Sequence, residues 1–212
     1  MIYALPIRIL HSLIALTTLV QLAIGELMTV PGIAEADEDE AGWILPAFAH
    51  EGHGDIVQPE TLGFEVHEFL GLFIAALVLV RVLMAFSDMP GAGWRELFPW
   101  LTGEGRRGLA REVRSQMPLW KQGRLAPPEE GERLARTVHG FIILCMFGMA
   151  VTGAILFNGW NEHGHQSEFI AAVGELHESI VGVLEALLAL HVLAVILHLR
   201  QGHNLLARIK PH

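Results

Sequence analysis

The chain has 212 residues, of which 52% are hydrophobic and 17% are charged, and its net charge is −9. This is more apolar than an ordinary soluble domain. A single cysteine excludes a disulfide framework and a site of several thiolate ligands.

Four apolar stretches follow one another along the chain, at about residues 5–28, 63–86, 134–157 and 173–200. Each is long enough to cross a hydrocarbon core ~30 Å thick. In lipid each must be a helix, because a helix satisfies its own backbone polar groups. The sequence therefore predicts an all-α integral membrane four-helix bundle, as a single domain over residues 1–212.

The distribution of charge predicts the orientation. All 14 Lys and Arg residues lie in the two terminal regions, at the span ends on the same side, or in the loop 88–133. The loops 29–60 and 158–172 contain acidic residues and no basic ones. The positive-inside rule then places both termini and the loop 88–133 in the cytoplasm and the acidic loops on the opposite side of the membrane.

Two features of the loops carry further expectations. A short amphipathic helix near Arg106–Met117 is predicted to lie on the membrane surface. The acidic outer face is interpreted first as a solvated face. It is also compatible with docking of a basic soluble partner through complementary charge.

Histidines occupy matching depths in three of the predicted spans. His177 and His191 are fourteen residues apart, about 40° short of four full helical turns, so they share a face at depths ~21 Å apart. His67 enters span two near the level of His177, and His11 enters span one nearer the level of His191. Two such pairs inside an apolar bundle are typical of bis-imidazole ligation of haem iron.

A glycine and three arginines support a flat cofactor at these levels. Gly71, four residues after His67, would leave room for a macrocycle. Arg8 lies near the inner boundary, as do Arg81 and Arg136, where they could pair with haem propionates.

Several alternatives stay open at this point. His139 and His198 also lie near the inner level, where either could replace an inner ligand, hold a propionate or line a quinone pocket. Membrane histidines also serve in hydrogen-bonded packing or proton relays. Zinc or copper is less favoured, since no short-spaced cluster of ligands lies inside a span.

Other ionisable groups carry weaker hypotheses. Glu185 in mid-span is expected to be protonated in an interhelical hydrogen bond, with a proton path as the alternative. Loop histidines could bind a transition metal but are more simply solvated; they are His50, His53, His163 and His165.

The C-terminal segment ELHE…LLALHVLAVILHLRQGHNLLARIKPH resembles the last span of bacterial di-haem cytochrome b561 proteins. It is most similar to the membrane cytochrome b subunits that accompany nickel-iron hydrogenases, and RILHSL and VHEFLG resemble their first two spans. The resemblance implies two b haems, with His11 and His191 on the inner one and His67 and His177 on the outer one. The long acidic outer loop, with its pair of histidines, is a departure from the pattern of that family.

The resemblance also implies a function: electron transfer between the membrane quinone pool and a periplasmic c-type cytochrome or oxidoreductase. A second hypothesis is a membrane-anchor and electron-relay subunit of a hydrogenase or another periplasmic oxidoreductase. A third is a haem-free transporter or ion carrier that uses its histidines and Glu185 as a proton path. A superoxide-oxidising quinone reductase is disfavoured, because it requires an electropositive outer entry. Membrane lipid is an expected partner, a homodimer or larger complex is compatible, and no nucleic acid is expected.

Overall fold

A computed structural model describes residues 4–34, 56–58, 61–87, 93–161 and 165–209. Four of its helices are long and apolar enough to cross a membrane, which confirms the predicted all-α membrane bundle. They are α1 (Leu5–Leu27), α2 (Leu62–Met84), α5 (Glu132–Gly159) and α6 (Glu168–Arg200). The shorter elements are α3 (Trp94–Leu97), α4 (Gly103–Trp120), β1 (Gly32–Ala34), β2 (Ile56–Gln58) and 3-10 turns at Pro99–Leu101 and Leu206–Arg208.

Hydroxyl caps define where two of the long helices begin. The Thr61 hydroxyl accepts a hydrogen bond from the Phe64 amide at 3.3 Å and starts α2. The Ser167 hydroxyl accepts one from the Ile170 amide at 3.3 Å and starts α6. Such caps satisfy amides that have no partner inside the helix. Because of its cap, α6 begins at residue 168 rather than at the predicted 173.

The long helices pack in the order α1, α2, α5, α6, each mainly against its neighbour in this series. In contrast, α6 makes little direct backbone contact with α1 or α2. The apolar core lies where α2, α5 and α6 meet, at Val78, Met146 and Leu184. Leu184 is midway in sequence between His177 and His191, so this core separates the two predicted histidine levels.

The outer loop 29–60 contains a two-stranded ribbon that the sequence analysis did not predict. Strands β1 and β2 pair antiparallel, with Ile33 opposite Val57. The Trp160 indole N–H donates to the carbonyl of Pro31 at 2.8 Å and so ties this loop to the outer end of α5. Residues 35–55 and 59–60 of the loop lie outside the described residues.

The described part of the loop 88–133, from residue 93 onward, packs mainly against the inner end of α5. Helix α4 contains the helix predicted near Arg106–Met117. The Glu112 carboxylate of α4 accepts hydrogen bonds from the Arg133 and Leu134 amides at 3.2 and 2.7 Å. A carboxylate at a helix N-terminus stabilises it through both hydrogen bonding and the helix dipole. Helix α4 therefore caps α5.

A glycine of α5 lets α3 and the 3-10 turn at Pro99–Leu101 pack closely against that helix. A Cβ on Gly140 of α5 would collide with the carbonyl of Leu97 and would lie 2.7 Å from the Trp100 ring. By contrast, a Cβ on Gly182 of α6 would meet nothing within 4 Å.

We expect Gly140→Ala to destabilise the protein by about 1–3 kcal/mol, because overpacking forces the backbone of α3 away from α5. Thermal unfolding in detergent, followed by circular dichroism, measures this effect. Gly182→Ala is the matched control and should leave the transition unchanged or slightly raised, since alanine favours helix. Equal transitions for the two variants would contradict the tight contact at Gly140.

Candidate functional site

The outer level contains His67 on α2 and His177 on α6, which are close enough to interact electrostatically. Nδ1 of His177 lies 2.7 Å from the hydroxyl oxygen of Thr152 on α5. A Cβ on the next residue, Gly153, would lie 3.4 Å from Cε1 of His177. The ring of His177 therefore packs against α5 where that helix presents a hydroxyl and a glycine.

His67 packs in a similar way against α1. A Cβ on Gly25 would lie 3.3 Å from its Cε1. Its backbone carbonyl accepts a hydrogen bond from the Gln21 amide group at 2.9 Å. Nδ1 of His67 is buried and has no hydrogen-bond partner within the described residues. A Cβ on Gly71 would lie 3.2 Å from Nε2 of Gln21, so Gly71 lies on the α1 side of α2.

Three imidazoles meet at the inner level. His11 on α1 and His191 on α6 are close enough to interact electrostatically. The ring of His139 on α5 contacts that of His191 edge-on, with centroids 4.9 Å apart and an interplanar angle of 63°. His139 also interacts electrostatically with His11 and with the buried Arg81.

The remaining predicted residues lie beyond this cluster, toward the inner ends of the helices. Nδ1 of His198 lies 3.0 Å from Nδ1 of His203, just past the end of α6. Arg8 is half-buried, one turn before His11. The Arg136 guanidinium bridges the carboxylates of Glu132 and Glu96, at 2.7 and 3.3 Å. Any propionate role for Arg136 would compete with these two ion pairs.

A profile of the family described as prokaryotic cytochrome b561 matches residues 2–212, nearly the whole chain. The chain belongs to the prokaryotic cytochrome b561 family. Searches of curated proteins and of solved structures found no match. Family membership and the four apolar helices make this cytochrome a multi-pass bacterial membrane protein of electron transfer, with b-type haem as its cofactor.

The two histidine pairs fit axial ligation of a b haem in this cytochrome. Imidazole nitrogen is a ligand that haem iron accepts from both sides. Helix α6 makes little direct backbone contact with α1 or α2, so the helices that carry the paired histidines are not packed directly against each other. In the described part of the chain, no group of three or more His, Cys, Asp or Glu side chains is arranged to hold a metal ion directly.

Sequence reasoning missed four residues that contact the outer histidines. Thr152 lies thirteen residues beyond His139 on α5, ~20 Å further out, which is the level of His177. Thr152 could have been found by comparing the depths of polar residues other than histidine along the four spans. Gln21, Gly25 and Gly153 carry no comparable signal, because their roles depend on which helix packs beside them.

The structure also places Glu185 and one of the loop histidines. Glu185 lies on the exposed face of α6, so the expected hydrogen bond to an internal group is not formed within the described residues. Of the loop histidines, His165 is exposed, and His50, His53 and His163 lie outside the described residues.

Proposed function

We propose that this cytochrome conducts electrons across the bacterial inner membrane through two bis-histidine b haems, between the quinone pool and a periplasmic redox partner. The observation that carries the proposal is the pair of histidine levels along α6, where His177 lies near His67 of α2 and His191 lies near His11 of α1. His67 and His177 would hold the outer haem, and His11 and His191 the inner one. When bound, each haem iron supplies a one-electron couple.

The residues between the two levels support a pathway for electrons alone. Val78, Met146 and Leu184 are the buried members of a cluster completed by other apolar side chains. An apolar layer at mid-membrane excludes water and ions, because a charged or polar group there has no partner to replace its hydration. Electrons can then cross between the levels without a matching leak of protons.

The ring contact at the inner level supports His11 as the second inner ligand. If His139 and His191 held one haem iron between them, the iron would need room between the two rings. The rings of His139 and His191 instead meet edge to face, with centroids 4.9 Å apart. In this proposal His139 is a neighbour of the inner haem, and with His198 it borders the quinone site.

Charge supports the proposed orientation and the class of outer partner. Every Lys and Arg lies on the side of the termini, and the two opposite loops are acidic. With the termini in the cytoplasm, the acidic face meets the periplasm. Such a face raises the encounter rate with a basic carrier such as a c-type cytochrome, in a manner that salt screens.

The first test is the haem content of the detergent-purified protein, by pyridine haemochrome. We expect two low-spin b haems per chain. A haem-free protein, folded and produced with ample haem supply, would overturn the proposal and favour the transporter hypothesis. A single haem would leave one histidine pair without its cofactor and overturn the two-haem pathway.

The second test separates a stand-alone quinone-linked cytochrome from an anchor subunit. In proteoliposomes that contain only this chain and a quinol, we expect reduction of an external basic c-type cytochrome, with a rate that falls as salt rises. Loaded haems without quinol oxidation would favour the anchor subunit, whose relay requires its oxidoreductase.

A further inference from the structure

Helix α5 supplies none of the four proposed ligands, yet through Thr152 it lies within hydrogen-bond distance of His177. Thr152 of α5 is buried, at 5% exposure. Its hydroxyl oxygen lies 2.7 Å from Nδ1 of His177, a short distance for a hydrogen bond between a hydroxyl and an imidazole. The two residues lie on different helices, so this contact depends on how α5 and α6 pack.

Counting hydrogens assigns the direction of this bond. A threonine hydroxyl has one hydrogen, and two carbonyls of the preceding turn are within reach to accept it, that of Gly148 at 2.9 Å and that of Met149 at 3.3 Å. We take the hydrogen to lie on this side of the oxygen, as a threonine inside a helix commonly places it. Toward His177 the oxygen is then an acceptor. The shared hydrogen belongs to Nδ1, and a neutral imidazole with hydrogen on Nδ1 keeps its lone pair on Nε2.

We propose that Thr152 is the positioning residue of the outer haem: it holds His177 in the tautomer and ring orientation that present Nε2 to iron, and it strengthens His177 as a donor. The inference depends on the proposed function, since it takes His177 as an axial ligand. Partners of this kind fix the tautomer of a ligating histidine and raise its basicity. A Cβ on Gly153 would lie at ordinary contact distance from Cε1 of His177, 3.4 Å, so the ring lies directly against α5 at this glycine.

The opposite ligand has no such partner. Nδ1 of His67 is buried and without a hydrogen bond within the described residues, although Gln21 holds the backbone carbonyl of the same residue. The outer haem would thus have one strengthened and one unassisted imidazole. Loss of the Thr152 hydroxyl should be felt mainly by the ferric state, because the ferric iron gains most from a more basic ligand.

The test is a potentiometric titration of the purified holoprotein, in which the haem component lost from His177→Ala identifies the outer haem. In Thr152→Val the shape is kept and the hydroxyl is removed. We expect roughly tenfold weaker binding of the outer ferric haem. The outer midpoint potential should rise by up to ~59 mV, the equivalent of tenfold for one electron. Thr152→Ala, which adds no volume, should show the same shift, and Thr152→Ser should restore the wild-type potential.

Thr137→Val is the matched control. Thr137 is also buried on α5, at 9% exposure, and its hydroxyl donates to the carbonyl four residues back at 2.8 Å, but no histidine hydrogen bond to it is observed. The Thr137→Val substitution should leave the midpoint potential of the outer haem unchanged. Equal outer potentials in wild type and Thr152→Val, or equal shifts in Thr152→Ser and Thr152→Val, would overturn the inference. A wild-type protein without an outer haem would instead overturn the proposed function. Failure of the proposed function is therefore seen in the wild-type protein, and failure of this inference in the Thr152 variants.

Discussion

Replacing His177 by alanine is expected to reduce the haem content from two b haems per chain to one. The outer haem would lose one of its two protein ligands, and only His67 would remain on its other side. The inner pair, ~21 Å away along α6, should be untouched. Pyridine haemochrome analysis and the low-spin signals in electron paramagnetic resonance measure the loss, and reduction of a periplasmic acceptor in proteoliposomes should be abolished.

The matched control for this variant is His165→Ala. His165 lies just before α6 on the same side of the bundle, and it is exposed. It should keep both haems and full electron transfer. Two haems in His177→Ala would contradict the assignment of His177. Loss of both haems from a well-folded variant would contradict the independence of the two levels.

The second expected result concerns the inner level, where three imidazoles compete for two ligand positions. His191→Ala and His11→Ala should each lose the inner haem and keep the outer one. His139→Ala should keep both haems, because the edge-to-face contact of His139 with His191 is not that of two ligands on opposite sides of one iron. Haem stoichiometry and redox titration distinguish these outcomes.

His198→Ala provides the comparison for the fourth inner histidine. His198 is paired with His203 beyond the end of α6, and it should be dispensable for haem binding. Under the proposed function its loss should weaken quinol oxidation while both haems are kept. Retention of the inner haem in His11→Ala with loss in His139→Ala would reverse the assignment and make His139 the ligand.

The helices were the most predictable part of this cytochrome. An apolar stretch of membrane length has only one backbone structure that satisfies its own polar groups in lipid. The four stretches near residues 5–28, 63–86, 134–157 and 173–200 therefore correspond to long helices, with ends that differ by up to five residues. Those differences arise at caps such as Ser167 and Glu112, which act through hydrogen bonds rather than hydropathy.

The orientation of each helix about its own axis was much less predictable. In a soluble helix the apolar side identifies the face toward the core. In a membrane helix the face toward lipid is apolar as well, so this signal is weak. Glu185 shows the consequence: it was expected to face an internal partner, and it lies on the exposed face of α6.

The sequence by itself determined the four membrane helices, the side on which positive charge gathers, and the fourteen-residue spacing that aligns His177 with His191. These follow from hydropathy, charge and helical geometry, which are local properties of the chain. Only the tertiary structure decided which residues meet: His139 with His191, Thr152 with His177, and Arg136 with two carboxylates. Such contacts depend on which helices are neighbours and how their side chains interlock, and no local pattern encodes that choice.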